Sequence, residues 1–182
     1  MKHKIIFLLI FLGLAQLLSA QKLISKNGHI WFYSHTPVED IEAHNRQVVS
    51  ILDKETGGIQ FQLLVKSFEF QKKLMQEHFN ENYMESDEYP KASFKGNIEN
   101  LPDISFTKDG EYPARVAGNL TIHGVTQNVT INGTITVKSG EVTSESKFIV
   151  SPKDYNIAIP DLVKDKIAKE IEVNVNVTYE TN

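Results

Sequence analysis

The sequence predicts an all-β protein, an eight-stranded closed antiparallel barrel with one short helical insertion. Three observations carry this. Apolar and polar residues alternate with a period of two through most of the chain after residue 20. The alternating runs are punctuated by short clusters of Gly, Asn, Asp and Ser that accept turn geometry. Only the stretch from Phe68 to Gly96 breaks the alternation with helical spacing.

The amino terminus is read first because it sets the compartment. Met1 to Ala20 carries Lys2 and Lys4, an apolar run from Ile5 to Leu18, and small residues at Ser19 and Ala20, the layout of a secretory signal peptide over residues 1–20. Leu18, three residues before the cut, is larger than the ideal residue there. A spanning helix needs about 20 apolar residues, more than this run supplies, so removal is expected over anchoring. Cleavage would leave Gln21 first and a domain over 21–182. Removing twenty residues from 182 leaves 162, enough for one domain with its own core. The chain has no cysteine, which excludes a lipid-modified cysteine anchor and a disulfide framework and favours a periplasm-like setting over a strongly oxidising one. Loss of Lys2 and Lys4 takes the formal charge from −4 to −6, with no acidic residue in the leader. Scattered basic residues on an acidic chain argue against nucleic acid or an anionic membrane surface as the main partner.

Taken in order, Ile30 to Ser34 is a first short strand, and Ile41 to Leu52 and Gly58 to Val65 form a hairpin around the Asp53 to Gly58 turn. In its second arm Ile59, Phe61, Leu63 and Val65 share one face, with Leu64 the exception to alternation. After the insertion, Ala92 to Ile98 is a fourth strand. Ala114, Val116, Gly118, Leu120 and Ile122 mark a fifth, closed by His123-Gly124. Val129, Ile131, Gly133, Ile135 and Val137 alternate with Asn128, Thr130, Asn132, Thr134 and Thr136 in a sixth, ended by Ser139-Gly140. Val142 to Ser151 is a seventh, and Ile171, Val173, Val175 and Val177 mark an eighth. Between these two, residues 160–169 are read as one or two helical turns.

The insertion near residues 72–88 reads as a lid. Leu74 and His78, and Met75, Phe79 and Tyr83, recur at intervals of four, while Lys72, Lys73, Gln76, Glu77 and Asn80 face away. Asn80 and Asn82 shorten the helix, and Pro90 restores extended backbone at Tyr89. Met suits such a cover, because its flexible thioether adapts to different apolar shapes.

Eight half-apolar strands are best satisfied by closure, which removes both sheet edges and hides every apolar face in one interior; a sandwich would leave edges to protect. An outer-membrane barrel would turn its apolar face outward behind aromatic girdles, which the long Thr, Asn and Lys rows do not resemble. The expected interior comprises Ile59, Phe61, Leu63, Val65, Phe94, Val116, Leu120, Val129, Ile131, Ile135, Phe148, Val173 and Val175. The expected mouth and lid comprise Phe68, Phe70, Met75, His78, Phe79, Tyr83, Met84 and His123. Strands of ~10 residues, rising ~3.3 Å each and tilted ~40°, enclose a space roughly 25 Å deep. Two readings of that space stay open: a ligand cavity, or an interior filled by its own side chains. Gly96, Gly118 and Gly133 on apolar phases favour open space, though glycine also marks strand bends.

Several segments together resemble the YceI-like family: His35-Thr-Pro-Val-Glu-Asp-Ile-Glu-Ala43, the hairpin at Leu52-Asp53 with Thr56-Gly57, Lys66-Ser-Phe-Glu-Phe70, Met75-Gln-Glu-His-Phe79, Tyr89-Pro-Lys-Ala-Ser-Phe94 and Gly118-Asn-Leu-Thr-Ile-His-Gly-Val-Thr126. The resemblance spans about Leu23 to Tyr179. It implies a secreted, lipocalin-like barrel holding a long-chain apolar lipid such as a polyisoprenoid, an isoprenoid quinone or a fatty-acid derivative. A homodimer is compatible with it, and insertion into the membrane after signal cleavage is not expected.

Catalytic motifs are not evident. His29, His35, His44, His78 and His123 show no metal-ligand spacing, and neither a phosphate-binding glycine loop nor a Gly-x-Ser-x-Gly turn occurs. No cofactor and no metal are expected. His78 on the stripe and His123 in a turn are read as structural or as hydrogen-bonding a lipid head group at the mouth. A lipid isomerase or cyclase would need an interior acid pair or polar cluster, which abundant Asp and Glu leave open. Asn-x-Thr triplets starting at Asn119, Asn128, Asn132 and Asn176 follow from Asn/Thr alternation on a polar face, and Glu81 to Glu88 reads as a solvated acidic face. The competing class is a stress or envelope protein acting through its surface on another protein.

Overall fold

The computed structural model describes residues 22–180; residues 1–21, over which a signal peptide is expected, and residues 181–182 lie outside the described residues. Nine strands are formed: β1 Lys22–His35, β2 Asp40–Asp53, β3 Gly58–Leu64, β4 Glu69–Phe70, β5 Lys91–Ile98, β6 Gly110–Ile122, β7 Val125–Lys138, β8 Glu141–Val150 and β9 Ile171–Tyr179. All pairings are antiparallel, in the order β1-β9-β8-β7-β6-β5-β3-β2, and β1 pairs again with β2, so eight strands close into a barrel. The two-residue β4 is an addition to the free margin of β2, where Ala43 and His44 face Phe70 and Glu69.

Turn chemistry sets the register. The His123-Gly124 and Ser139-Gly140 hairpins hold both central residues at positive φ, at 49° and 71° and at 52° and 84°, the backbone that a two-residue connection between twisted strands requires. At the β2–β3 hairpin, Asp53 Oδ1 accepts hydrogen bonds from the Glu55 and Thr56 amides, 3.0 Å each, and fixes the turn with Gly57 at φ 72°.

The first strand is longer than its pattern suggests. β1 pairs with β2 from Lys22 to His35, but register shifts between Ser25 and Gly28 and between Gly28 and Ile30 break the two-residue period. Leu23, Ser25 and Gly28 are all buried, so the segment belongs to the barrel although it does not alternate. Of the one or two helical turns expected over residues 160–169, one forms, a 3-10 turn at Asp161–Val163. No described helix is long and apolar enough to cross a membrane.

The apolar faces turn inward. Leu52, Val177 and Val48 are fully buried, with Ile135 and Val137 nearly so, while Leu64, the residue out of phase in β3, stands outside at 49% exposure. Lining up Gly96 with Gly118 across β5 and β6 does not open space, contrary to the expectation. A Cβ at Gly118 would lie 2.5 Å from the Gly96 Cα and 2.8 Å from Cζ of Phe94, and one at Gly96 would lie 2.7 Å from the same ring atom. The two glycines are the seat of the Phe94 ring. Gly133 likewise marks a close strand approach, its Cβ position being 2.5 Å from the Glu145 carbonyl oxygen.

The end opposite the helical insertion is plugged by a polar knot. Tyr179, 1% exposed, shares hydrogen bonds with Ser50 Oγ at 3.0 Å and Ser144 Oγ at 3.3 Å, which satisfies its buried hydroxyl. Burial pushes this phenol above its ordinary value, although the hydrogen bonds with Ser144 and Ser50 act the other way. The folded chain therefore holds the Tyr179 proton more tightly than the unfolded chain does. The associated stability is fully present below about pH 10 and is lost as pH rises beyond it. Tyr179→Phe is expected to cost about 1–2 kcal/mol near pH 7, through loss of two hydrogen bonds, and to flatten the alkaline fall in stability. Urea unfolding of both proteins at neutral pH and above about pH 9 checks this.

Candidate functional site

The inward residues of the strands surround one cavity of about 610 Å³. β3 contributes Ile59, Phe61 and Leu63, and the 3-10 turn that follows it contributes Val65. Phe94 comes from β5, Val116 and Leu120 from β6, Ile131 and Ile135 from β7, Phe148 from β8, and Val173 and Val175 from β9. The two-residue period is what aims these side chains at one space from six strands. Val129 is the exception among the expected interior residues: it packs against the core cluster but does not line the cavity. It lies in the part of β7 nearer the mouth, beyond the last residue paired with β8.

The insertion covers the mouth. α1, Lys73–His78, runs into a π-helical turn at Phe79–Tyr83, and Leu74, Met75, His78, Phe79, Tyr83 and Met84 all reach the cavity wall with Phe68 and Phe70. Leu74 is 61% exposed, and His78 is also exposed, so this edge of the stripe stands at the solvent rim. The other edge is anchored. The Phe79 ring packs against Phe70 at 5.0 Å, Phe32 at 5.5 Å and Phe68 at 5.7 Å between centroids, distances at which aromatic pairs attract beyond simple burial. Gln76 Oε1 accepts from the Phe70 amide at 3.3 Å and ties the helix to β4.

His123 does not line the cavity. Its ring is 9% exposed, and both nitrogens are engaged: Nδ1 with the Tyr155 carbonyl at 3.1 Å and Nε2 with Glu85 Oε2 at 2.8 Å. Tyr89 meets the ring edge-on at 4.5 Å. The tight β6–β7 turn points the imidazole into the protein and away from the mouth, so it pins the segment after the lid and the turn after β8 together.

Other lining residues escaped the sequence reading. Ile30 and Phe32 on β1 and Ile41 on β2 belong to the wall as well, in the stretch where β1 and β2 pair without a register shift. Ile157, Ile159, Val163 and Ile167 close the rim from the β8–β9 connection. Val163, Ile167 and Ile171 recur every four residues, the signal that could have found them. Polar side chains on the wall are few. Ser144 and Ser146 sit among aliphatic neighbours, and Glu39, Lys72, His78 and Lys166 lie toward the rim, where Lys72 Nζ is 3.4 Å from Glu39 Oε1. The Glu145 carboxylate accepts from Asn176 Nδ2 at 2.6 Å.

Among the described residues the buried polar side chains include no carboxylate, and no group of three His, Asp or Glu could hold a metal ion. On the outer face His29, Trp31 and His44 stack, with Arg46 Nη1 2.9 Å from His29 Nε2. Partial burial, then Arg46 and His44, lower the His29 pKa.

The YceI-like domain model matches residues 23–179, nearly all of the barrel. The chain belongs to the YceI-like family. Among solved structures, this YceI-like chain is similar to a polyisoprenoid-binding domain from Saccharophagus degradans implicated in plant cell wall breakdown. The identity is 13% and the TM-score 0.78, over 90% of this chain and 99% of that one. It is also similar to BcnA of Burkholderia cenocepacia, with 16% identity and TM-score 0.68 over 83% and 95% of the two chains. The YceI protein of Campylobacter jejuni matches with 15% identity and TM-score 0.63 over 81% and 90%. At these identities the likeness is one of fold. No curated protein matches the sequence.

The two halves of the lid stripe should separate in experiment. Phe79→Ala is expected to lower unfolding free energy by about 2–4 kcal/mol, because it empties the centre of an aromatic cluster. Met75→Ala, outside that cluster, is expected to change stability by less than about 1 kcal/mol while speeding release of an apolar fluorescent probe from the cavity. Urea unfolding and stopped-flow release on both variants check the split.

Proposed function

We propose that this YceI-like protein is a non-catalytic carrier or sequestering protein that holds a long-chain apolar lipid in the barrel after export to the bacterial periplasm. The observation that carries the reading is the interior cavity of about 610 Å³, whose wall is mainly aliphatic and aromatic from the lid to the polar knot. Its size falls in the range of about 300–1,000 Å³ common to small-molecule sites. Burying ~400 Å² of ligand surface yields about 10 kcal/mol gross at ~25 cal/mol/Å². Several kcal/mol of lost ligand freedom oppose it, so micromolar or tighter binding needs no polar anchor.

The ligand class is a polyisoprenoid, an isoprenoid quinone or a fatty-acid derivative. Family membership and the polyisoprenoid-binding character of the Saccharophagus degradans domain support that choice. The scarcity of wall polar groups supports binding over chemistry: an isomerase or cyclase needs a placed acid and base, and the described interior buries no carboxylate.

Denaturing extraction of protein purified from its native host, followed by lipid mass spectrometry, tests the reading. A long-chain lipid in near-stoichiometric amount is expected. Its repeated absence would overturn the carrier reading in favour of a surface role, for which the stacked, half-buried His29, Trp31 and His44 form an aromatic patch on the outer face. Chemical alteration of the lipid on incubation would overturn the non-catalytic assignment. Export rests on the Lys2, Lys4, apolar and small-residue zones of the leader. Intact-mass measurement on the secreted fraction is expected to find Gln21 as the first residue, and a terminus at Met1 would sink it.

A further inference from the structure

The hydrogen-bonded wall of the cavity is interrupted between β7 and β8. Their ladder runs from Lys138 opposite Glu141 to Gly133 opposite Ser146 and stops there. Beyond that point β7 continues toward Val125 paired with β6, and β8 continues to Val150 paired with β9, so the two strands part like a fork. Nearer the mouth the fork is bridged again: Gln127 Nε2 donates to the Asp154 carbonyl at 2.8 Å, from the 3-10 turn Pro152–Tyr155. The result is a window, bounded on one side by Gly133 and Ser146 and on the other by the Gln127–Asp154 bond. Continuing the register places Ile131 and Phe148, both cavity residues, across it on the inner face, with Asn132 and Lys147 across it outside.

A second concavity, about 490 Å³, lies against the outer side of this window and is lined by Trp31, Asn132, Lys147 and Asn174. It shares Gly133, Thr134, Glu145, Ser146 and Val175 with the interior cavity, so a single layer of protein separates the two spaces. Thr134 and Glu145 are residues of the polar face, yet both border the interior, as they must where the wall thins. Strand edges without a ladder partner also expose backbone donors and acceptors that a ligand or water satisfies.

We infer that the window is a side port: the apolar chain of a bound lipid lies in the barrel, and its polar end passes between β7 and β8 into the outer groove. This rests on the lipid-carrier reading and adds to it the class of end group. The groove's cation is already paired, with Lys147 Nζ 2.9 Å from Glu172 Oε1, and its Glu145 carboxylate, which accepts from the neutral Asn176 amide, leaves the groove negative. What remains for a ligand is the Asn132 amide, the Asn174 carbonyl oxygen, the Thr134 hydroxyl and the Trp31 indole. Such a set suits an uncharged, hydrogen-bonding end such as a hydroxyl or carbonyl on a long chain, and it would not neutralise a phosphate or carboxylate.

Trp31 is the sole tryptophan of the chain, which makes its fluorescence a reporter of the groove. Two eighteen-carbon alcohols serve as probes, one with a nitroxide beside the hydroxyl and one with it at the far end of the chain, their binding read independently from immobilised spin-label spectra. The hydroxyl-end label is expected to quench Trp31 several-fold more than the chain-end label. Equal or reversed quenching by two probes that both bind would overturn the port and leave the carrier reading standing, whereas failure of both to bind would overturn the two together. The chain's lack of cysteine allows a second measurement. An oxidised cross-link in the Asn132→Cys, Lys147→Cys variant closes the fork at its first unpaired position. It is expected to abolish the preferential quenching seen with the same variant kept reduced, with the probe still bound. Preferential quenching that survives the cross-link would overturn the port.

Discussion

Closure of the sheet is the constraint on which the rest of the structure depends. β1 pairs with β9 along one side and with β2 along the other, so eight strands share a single interior and leave no long free edge. Once closed, the cylinder has a fixed girth, and its side chains fill it only where they are long enough or the strands are close enough. Around Phe94 the approach of Gly96 to Gly118 lets one ring fill the space between strands. Nearer the lid the inward residues leave a void, and the cavity is the consequence.

The two ends of the cylinder are finished by different physics. At one, Tyr179 reaches Ser50 and Ser144, and a buried hydrogen-bonded knot rigidifies the floor. At the other, the chain leaves the sheet and returns: β4 takes the margin of β2, and α1 crosses the mouth on the Phe79 cluster. Where β2 leaves β3, the buried Asn45 amide donates to the Leu64 carbonyl, so the gap does not strand backbone groups. The floor is therefore the stable part and the mouth the part with fewest ties, the distribution expected of a protein that admits and releases a ligand without unfolding.

Binding by such a site is governed by apolar area and shape. The wall offers a long chain many weak contacts and few hydrogen bonds, so affinity grows with buried length, while discrimination between lipids of equal length falls to the places where polar groups meet the cavity. Those places are the rim, with Lys72, Glu39, His78 and Lys166, and the thin wall at Thr134 and Glu145. Solved structures with TM-scores of 0.63 to 0.78 and only 13–16% identity to this chain show how little the fold itself restricts the sequence.

Local periodicity by itself determined the eight strands of the barrel, the phase of nearly every wall residue from Ile59 to Val175, the turns at His123-Gly124 and Ser139-Gly140, and the helical interruption between Phe70 and Tyr89. Each of these is written within a few residues, as a spacing or a turn-forming pair, and needs no distant partner to be read. Only the tertiary structure decided what depends on two distant segments at once. The bulges that bring Leu23 and Ser25 inside are set by pairing with β2, and they erase the alternation that would have announced the part of β1 before Ile30. His123 turns away from the mouth because Glu85 and the Tyr155 carbonyl, 38 and 32 residues away, receive it. The glycines that looked like open space are filled by Phe94, and the fork of β7 from β8 follows from how far each strand keeps its partner. A period of two states which face a residue takes; it cannot state where a ladder ends, because that is settled by the twist and closure of the whole barrel.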